Sequence, residues 1–124
     1  MRDDARTLFA SVLGDTEQTA LLLDSGGMPL AGSYVDSSGR DIGAEIGAAL
    51  SGVSTEVARS MRHLSLGAWT ALVVETDAAT VALAPVTESA FVMLAAGGTV
   101  PIGMVRRVLA RSVAIAASWL GRAQ

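Results

Sequence analysis

Residues 21–33 read LLLDSGGMPLAGS, and the reading of this stretch decides the architecture. With Thr19 and Ala20 before them, the three leucines form an apolar run that ends at Asp24. A short run with no alternation predicts a strand buried on both faces. Ser25-Gly26-Gly27 is turn chemistry, because glycine reaches positive φ without steric cost. Asp24, just before it, is placed to accept hydrogen bonds from turn amides. Leu30 to Val35 then reads as the returning strand of a hairpin.

Downstream, Asp36-Ser37-Ser38-Gly39 is a polar loop, and a helix follows from Asp41 to about Leu64. Its apolar positions, Ile42, Ile46, Ala49, Leu50, Val53, Val57, Met61 and Leu64, make one continuous stripe. Asp41 can cap it and Glu45 suits the dipole of its first turn. Gly43, Gly47 and Gly52 each weaken it by roughly 0.5–1 kcal/mol relative to Ala, so the helix depends on tertiary packing.

Three runs rich in Val, Leu, Ala and Thr come next: Ala68 to Thr76, Thr80 to Val86 and Ser89 to Ala95. Short breaks separate them, which predicts an antiparallel meander. Pro85 cannot donate to a ladder and belongs at a strand end or an unpaired edge. Pro101 suits the first turn of a last helix, with Ile102, Val105, Leu109, Val113, Ala116 and Leu120 as its stripe. Upstream of the hairpin, Asp3 and Asp4 can cap a short helix carrying Ala5, Leu8, Phe9, Val12 and Leu13, ended by Gly14. The order is helix, hairpin, helix, three-stranded meander, helix.

Half of the 124 residues are apolar, enough for a real core, while aromatics make up only 4%. A core of small residues is thin and counts against a roomy ligand pocket. The absence of Cys excludes disulfides and thiolate chemistry. The stretch from Ala90 to Val105 is broken by Gly97, Gly98 and Pro101, and a membrane span needs about 20 uninterrupted apolar residues. MRDDARTLF lacks the apolar run of a signal peptide, so the expectation is a soluble, cytoplasmic protein. Net charge is −3, and the nine basic residues are all Arg, scattered along the chain except for a local cluster of Arg106, Arg107 and Arg111 that suits a solvated helix face. Nucleic acid, which needs a concentrated basic face, is therefore not an expected partner.

The order and lengths of these elements resemble the roadblock family of dynein light chains and its bacterial relatives. Three features carry the likeness: residues 21–33, the long Ala-rich helix followed by a meander, and VPIGMVRRVLARS at residues 100–112. Together they cover about residues 3–120, with 121–124 left as a tail. The pair Gly26-Gly27 departs from relatives that more often have a charged residue before a single glycine. The resemblance implies an α/β (α+β) fold, a profilin-like sandwich. In it a five-stranded antiparallel sheet has the long helix on one face and the first and last helices on the other. It also implies dimers, with itself or a related chain, made by pairing the first meander strand and the long helix across a two-fold axis. Family members bind other proteins, in bacteria small Ras-like GTPases, and partners of gliding-motility GTPases are the nearest analogy. A structural light-chain-like subunit and a small-molecule sensor are the alternatives.

Candidate chemistry is sparse. His63, the only histidine, has Arg59 and Glu56 as helical neighbours, and a helix-end role explains it without catalysis. No Gly-x-Ser-x-Gly elbow and no metal-ligand spacing occurs. With no Lys, neither glycine pair can be a phosphate loop of the Gly-Lys-Ser/Thr kind. The expectation is a non-enzyme with no catalytic, cofactor or metal site. The informative surface is the outer face of the long helix, Ala44, Ala48, Ser51, Thr55, Ala58, Arg59 and Arg62, which is small and half apolar where long charged residues are usual. With Trp69, Ala71 and Val73 of the next strand it forms the candidate dimer and partner interface.

Overall fold

The computed structural model describes residues 3–123. Two short helices, α1 (Asp3–Arg6) and α2 (Ala10–Leu13), precede a hairpin of β1 (Gln18–Asp24) and β2 (Pro29–Gly32). Then come α3 (Gly43–Leu50) and α4 (Val53–His63), a meander of β3 (Leu72–Glu75), β4 (Ala79–Thr87) and β5 (Ala90–Gly97), and α5 (Ile102–Ala123). The strands form one antiparallel sheet in the order β2-β1-β5-β4-β3. At the hairpin, Asp24 Oδ1 accepts hydrogen bonds from the amides of Gly26 (3.0 Å) and Met28 (2.9 Å).

β1 is sandwiched as its leucines require. Strand side chains alternate between faces, so Leu22 joins Ala82, Ala84, Val92 and Leu94 on one side. Leu21 and Leu23 join Leu83, Phe91 and Met93 on the other. The first side is the larger core. There Phe9 and Val12 from the N-terminal segment and Val105, Val108, Leu109 and Ala116 from α5 pack onto a sheet surface rich in alanine. Small side chains let α5 sit close to the sheet. Among the described residues the second side has a cluster of five buried apolar side chains, with Ile46, Leu50, Val53 and Trp69 half-covering them.

The first helix is split, with three-residue turns from Ala5 to Leu8 and from Thr7 to Ala10 that swing Phe9 into the core at 1% exposure. Asp3, expected to cap, has its side chain outside the described residues. The long helix is also two helices. Gly52 sits at φ 85°, a left-handed conformation that costs other residues about 1–2 kcal/mol, and Ser51 is extended (ψ 132°). The expected continuous stripe is thereby cut, and α4 has no buried residue.

The first meander strand is shorter than Ala68–Thr76, and its register gives the reason. Leu72 pairs with Leu83, so a longer β3 would set residue 70 opposite Pro85, which has no amide to donate, beside the bulge between Pro85 and Thr87. Pro85 thus lies past the last rung of β3. At the other end of the chain, α5 runs through Gly121 to Ala123, where a tail was expected. Arg122 in its last turn favours continuation by complementing the helix dipole. Ile102, expected in the core stripe, is 41% exposed in its first turn.

Candidate partner interface

α4 follows Gly52 on the thinner side of the sheet; Val53 packs against that core, and none of the helix's residues is buried. Between it, residues 65–69 and the end of the β4–β5 hairpin lies an open groove of about 810 Å³. Ala58, Trp69, Pro85, Ala90 and Phe91 give it apolar walls, while Arg62 and Glu88 put one charge of each sign on its lining. Leu64 and Leu66, just after α4, are 61% and 68% exposed. Large exposed apolar side chains close in sequence to an apolar groove are what a protein partner covers.

Of the residues expected at an interface, the structure brings Thr55, Ala58, Arg62 and Trp69 together along this groove. Ala44 and Ala48 are exposed on α3, and Ser51 lies in the break, so they share no single helix face with the α4 residues. Arg59 is turned along α4, and its Nη2 donates to both carboxylate oxygens of Glu56, at 2.6 and 2.7 Å. That guanidinium hydrogen bond holds the Glu56 carboxyl below its usual range. Ala71 is exposed and precedes β3, outside the sheet. Val73 packs into the α5 side of the sheet, opposite the groove, because strand alternation sends it there when Leu72 faces α4.

Sequence reasoning missed Phe91 and Pro85. Both lie far along the chain, and only the β4–β5 register brings them beside Trp69. The signal available was Pro85 itself, which forced a strand end nearby. β3 is one edge strand of the sheet, β2 being the other, and its Val74 is 49% exposed. His63 lies outside the groove on a shallow surface with Arg59, Ser60 and Leu64. Among the described residues no group of three metal-ligating side chains converges, and no helix is long and apolar enough to cross a membrane.

A five-stranded antiparallel sheet with α1, α2 and α5 on one side and α3 and α4 on the other is an α+β sandwich of the profilin-like class. Within that class its fold is the roadblock/LC7 fold, as solved structures show. The gliding protein MglB of Thermus thermophilus superposes with a TM-score of 0.77 at 19% identity, over 94% of this chain and 87% of that one. An MglB solved in a tetrameric arrangement gives 0.80 at 17% identity, over 98% and 91%. A roadblock/LC7 domain from Streptomyces avermitilis gives 0.77 at 17% identity, over 93% and 96%. No protein-family model and no curated protein matches the sequence.

Proposed function

We propose that this chain is a dimeric, non-enzymatic regulatory module that binds a small Ras-like GTPase and modulates its nucleotide state. One observation carries the reading: the α3–α4 side of the sheet is left incompletely covered, with an open groove walled by Trp69 and Phe91 and with Leu64 and Leu66 exposed beside it. Such a surface gains by association, and the short β3 edge offers backbone pairing next to it. The likeness in fold to gliding MglB, one example of which is tetrameric, supports assembly, and the GTPase partner is what the roadblock resemblance of the sequence implies. The chain acts by binding, so any change in GTP turnover comes from the partner's own residues. Interface residues are Ala44, Ala48, Ser51, Thr55, Ala58, Arg59, Arg62 and Trp69, with Ala71 just before β3 and Val73 within it contributing through the backbone of that edge.

Ala48→Arg tests the assignment. Ala48 is exposed on α3, so the new side chain fits without entering the core. It collides with whatever packs on that face, and burying an unpaired guanidinium is costly. Sedimentation should fall from dimer to monomer mass while circular dichroism stays native. Unchanged mass and unchanged GTPase binding would remove α3 from the interface; Ala58→Arg, on the groove itself, puts the same question to α4, and no change there would place the interface elsewhere. The size of the groove favours one other reading, a small-molecule sensor, since ligand sites span about 300–1,000 Å³. A thermal-shift screen with metabolites separates the two: a ligand at 100 times its Kd adds about 2.7 kcal/mol.

A further inference from the structure

We infer that the outer face of α5 docks an acidic helical segment of a partner protein, independently of the α3–α4 face. α5 carries Arg106, Arg107, Arg111 and Arg122, four of the nine arginines, and none of the twelve acids. The helix is therefore +4, and the rest of the chain, five Arg against twelve acids, is −7. The remaining described arginines are mostly used within the fold. Arg6 faces Asp41, Arg40 faces Asp36 and Glu45, and Arg59 faces Glu56. All four α5 arginines are exposed, and among the described residues none makes an ion pair or hydrogen bond. In a chain with acids in excess, four cations on one helix are all left without a local partner.

The placement defines the occupant. Val105, Val108, Leu109 and Ala116 are buried against the sheet, so the arginines stand on the solvent side. Arg107 and Arg111 are one turn apart, and from Arg107 to Arg122 the helix rises about 22 Å. Apart from Arg111, the exposed positions between them are Ala110, Ala114, Ala117, Ser118 and Gly121, short enough for a partner backbone to come within reach of the guanidinium forks. A lipid surface would need bulky apolar side chains among the cations, and past Ile102 this face has none exposed. Nucleic acid needs a dense positive field, against which a net charge of −3 works. Carboxylates match: an arginine fork takes one through two parallel hydrogen bonds. Glutamates or aspartates recurring every turn or two on a helix lying along α5 meet the arginines in sequence. Because α5 and α3–α4 cover opposite sides of the sheet, both surfaces can be occupied at once.

The test uses the whole chain and a fluorescent helical peptide of about 20 residues with glutamates one turn apart. Anisotropy is read at about 0.05 and 0.15 M salt. The expected result is saturable binding that weakens with salt. R107E/R111E/R122E should lower affinity about tenfold or more, the sum of three modest ion pairs. R107K/R111K/R122K should fall between it and the parent, since lysine keeps the charge and loses the fork. R40E, in the β2–α3 loop, should bind as the parent does. Should the charge-reversed chain fail to fold by circular dichroism, the triple alanine variant replaces it, with the same expected loss. Undiminished peptide binding by the reversed or alanine variant overturns the inference. So does tighter binding of anionic phosphatidylglycerol vesicles or duplex DNA than of the peptide at the higher salt. Dimer mass should be unchanged in every α5 variant, so failure here is distinguishable from failure of the α3–α4 interface.

Discussion

Gly47→Ala should destabilise the protein although it replaces a poor helix former with the best one. Gly47 lies mid-helix in α3, where alanine would ordinarily gain about 1 kcal/mol. The structure reverses the sign. A Cβ on Gly47 would overlap the carbonyl oxygen of Gly27 in the β1–β2 turn and sit 3.2 Å from Leu23 Cδ2. The colliding atom is backbone, and Gly27 is itself held at φ 88° with no room for a Cβ against the Gly47 carbonyl. No rotamer relieves the overlap, so α3 must back away by on the order of 1–2 Å to restore an ordinary contact. That movement loosens Ile46 and Leu50 from Leu21 and Leu23. Overpacking of this kind costs up to about 3 kcal/mol; less the propensity gain, about 2 kcal/mol of net loss remains. At about 4 °C per kcal/mol for a domain of this size, Tm should drop by about 8 °C in a circular-dichroism melt. Gly121→Ala in α5 is the control, because nothing lies within 4 Å of its Cβ. It should hold or raise Tm by up to about 4 °C. A Gly47→Ala protein as stable as the parent, or more so, would refute the argument that this contact sets the position of α3.

Ser112 is buried in α5 with its hydroxyl unpartnered, so Ser112→Ala should stabilise by about 1 kcal/mol in urea titration; a loss would mean the hydroxyl is satisfied. Asp36 Oδ1 accepts from the Ser38 hydroxyl and from the Ser38 and Arg40 amides, the hydroxyl bond chief among causes holding its carboxyl below the usual 3.8. Its contribution to stability is thus complete above the unfolded value and lost as pH falls through the lowered folded one. A carboxyl titration by NMR should show a midpoint below 3.8, and Asp36→Asn should flatten that acid limb. Trp69 is half-buried, so Trp69→Ala should cost less than the 3–5 kcal/mol of a fully buried Trp, about 2 kcal/mol, and weaken partner binding. His63→Ala should leave stability and partner-dependent GTP turnover unchanged, and turnover by the chain alone that vanishes in this variant would make it an enzyme.

The sequence by itself determined the order of elements, the double-sided burial of residues 21–23, the Asp24 turn and the amphipathic last helix. Each rests on local chemistry: side-chain periodicity, glycine at a turn, a carboxylate beside free amides. The candidate site was legible only in part. Thr55, Ala58, Arg62 and Trp69 do meet, but Phe91 and Pro85, which complete the groove with them, arrive through strand register, a long-range property that no window of residues carries. The break at Gly52 was within reach, since that glycine was counted as a weakness. Whether such a weakness becomes a left-handed break or stays helical depends on what the next turn packs against, and α4 finds little. The retention of Gly47 likewise had no local reason, because the atom that forbids a side chain there belongs to Gly27, twenty residues away in sequence. Local propensity names the elements; the closest approaches between them, where backbone meets backbone, are decided only when the sheet and its helices come together.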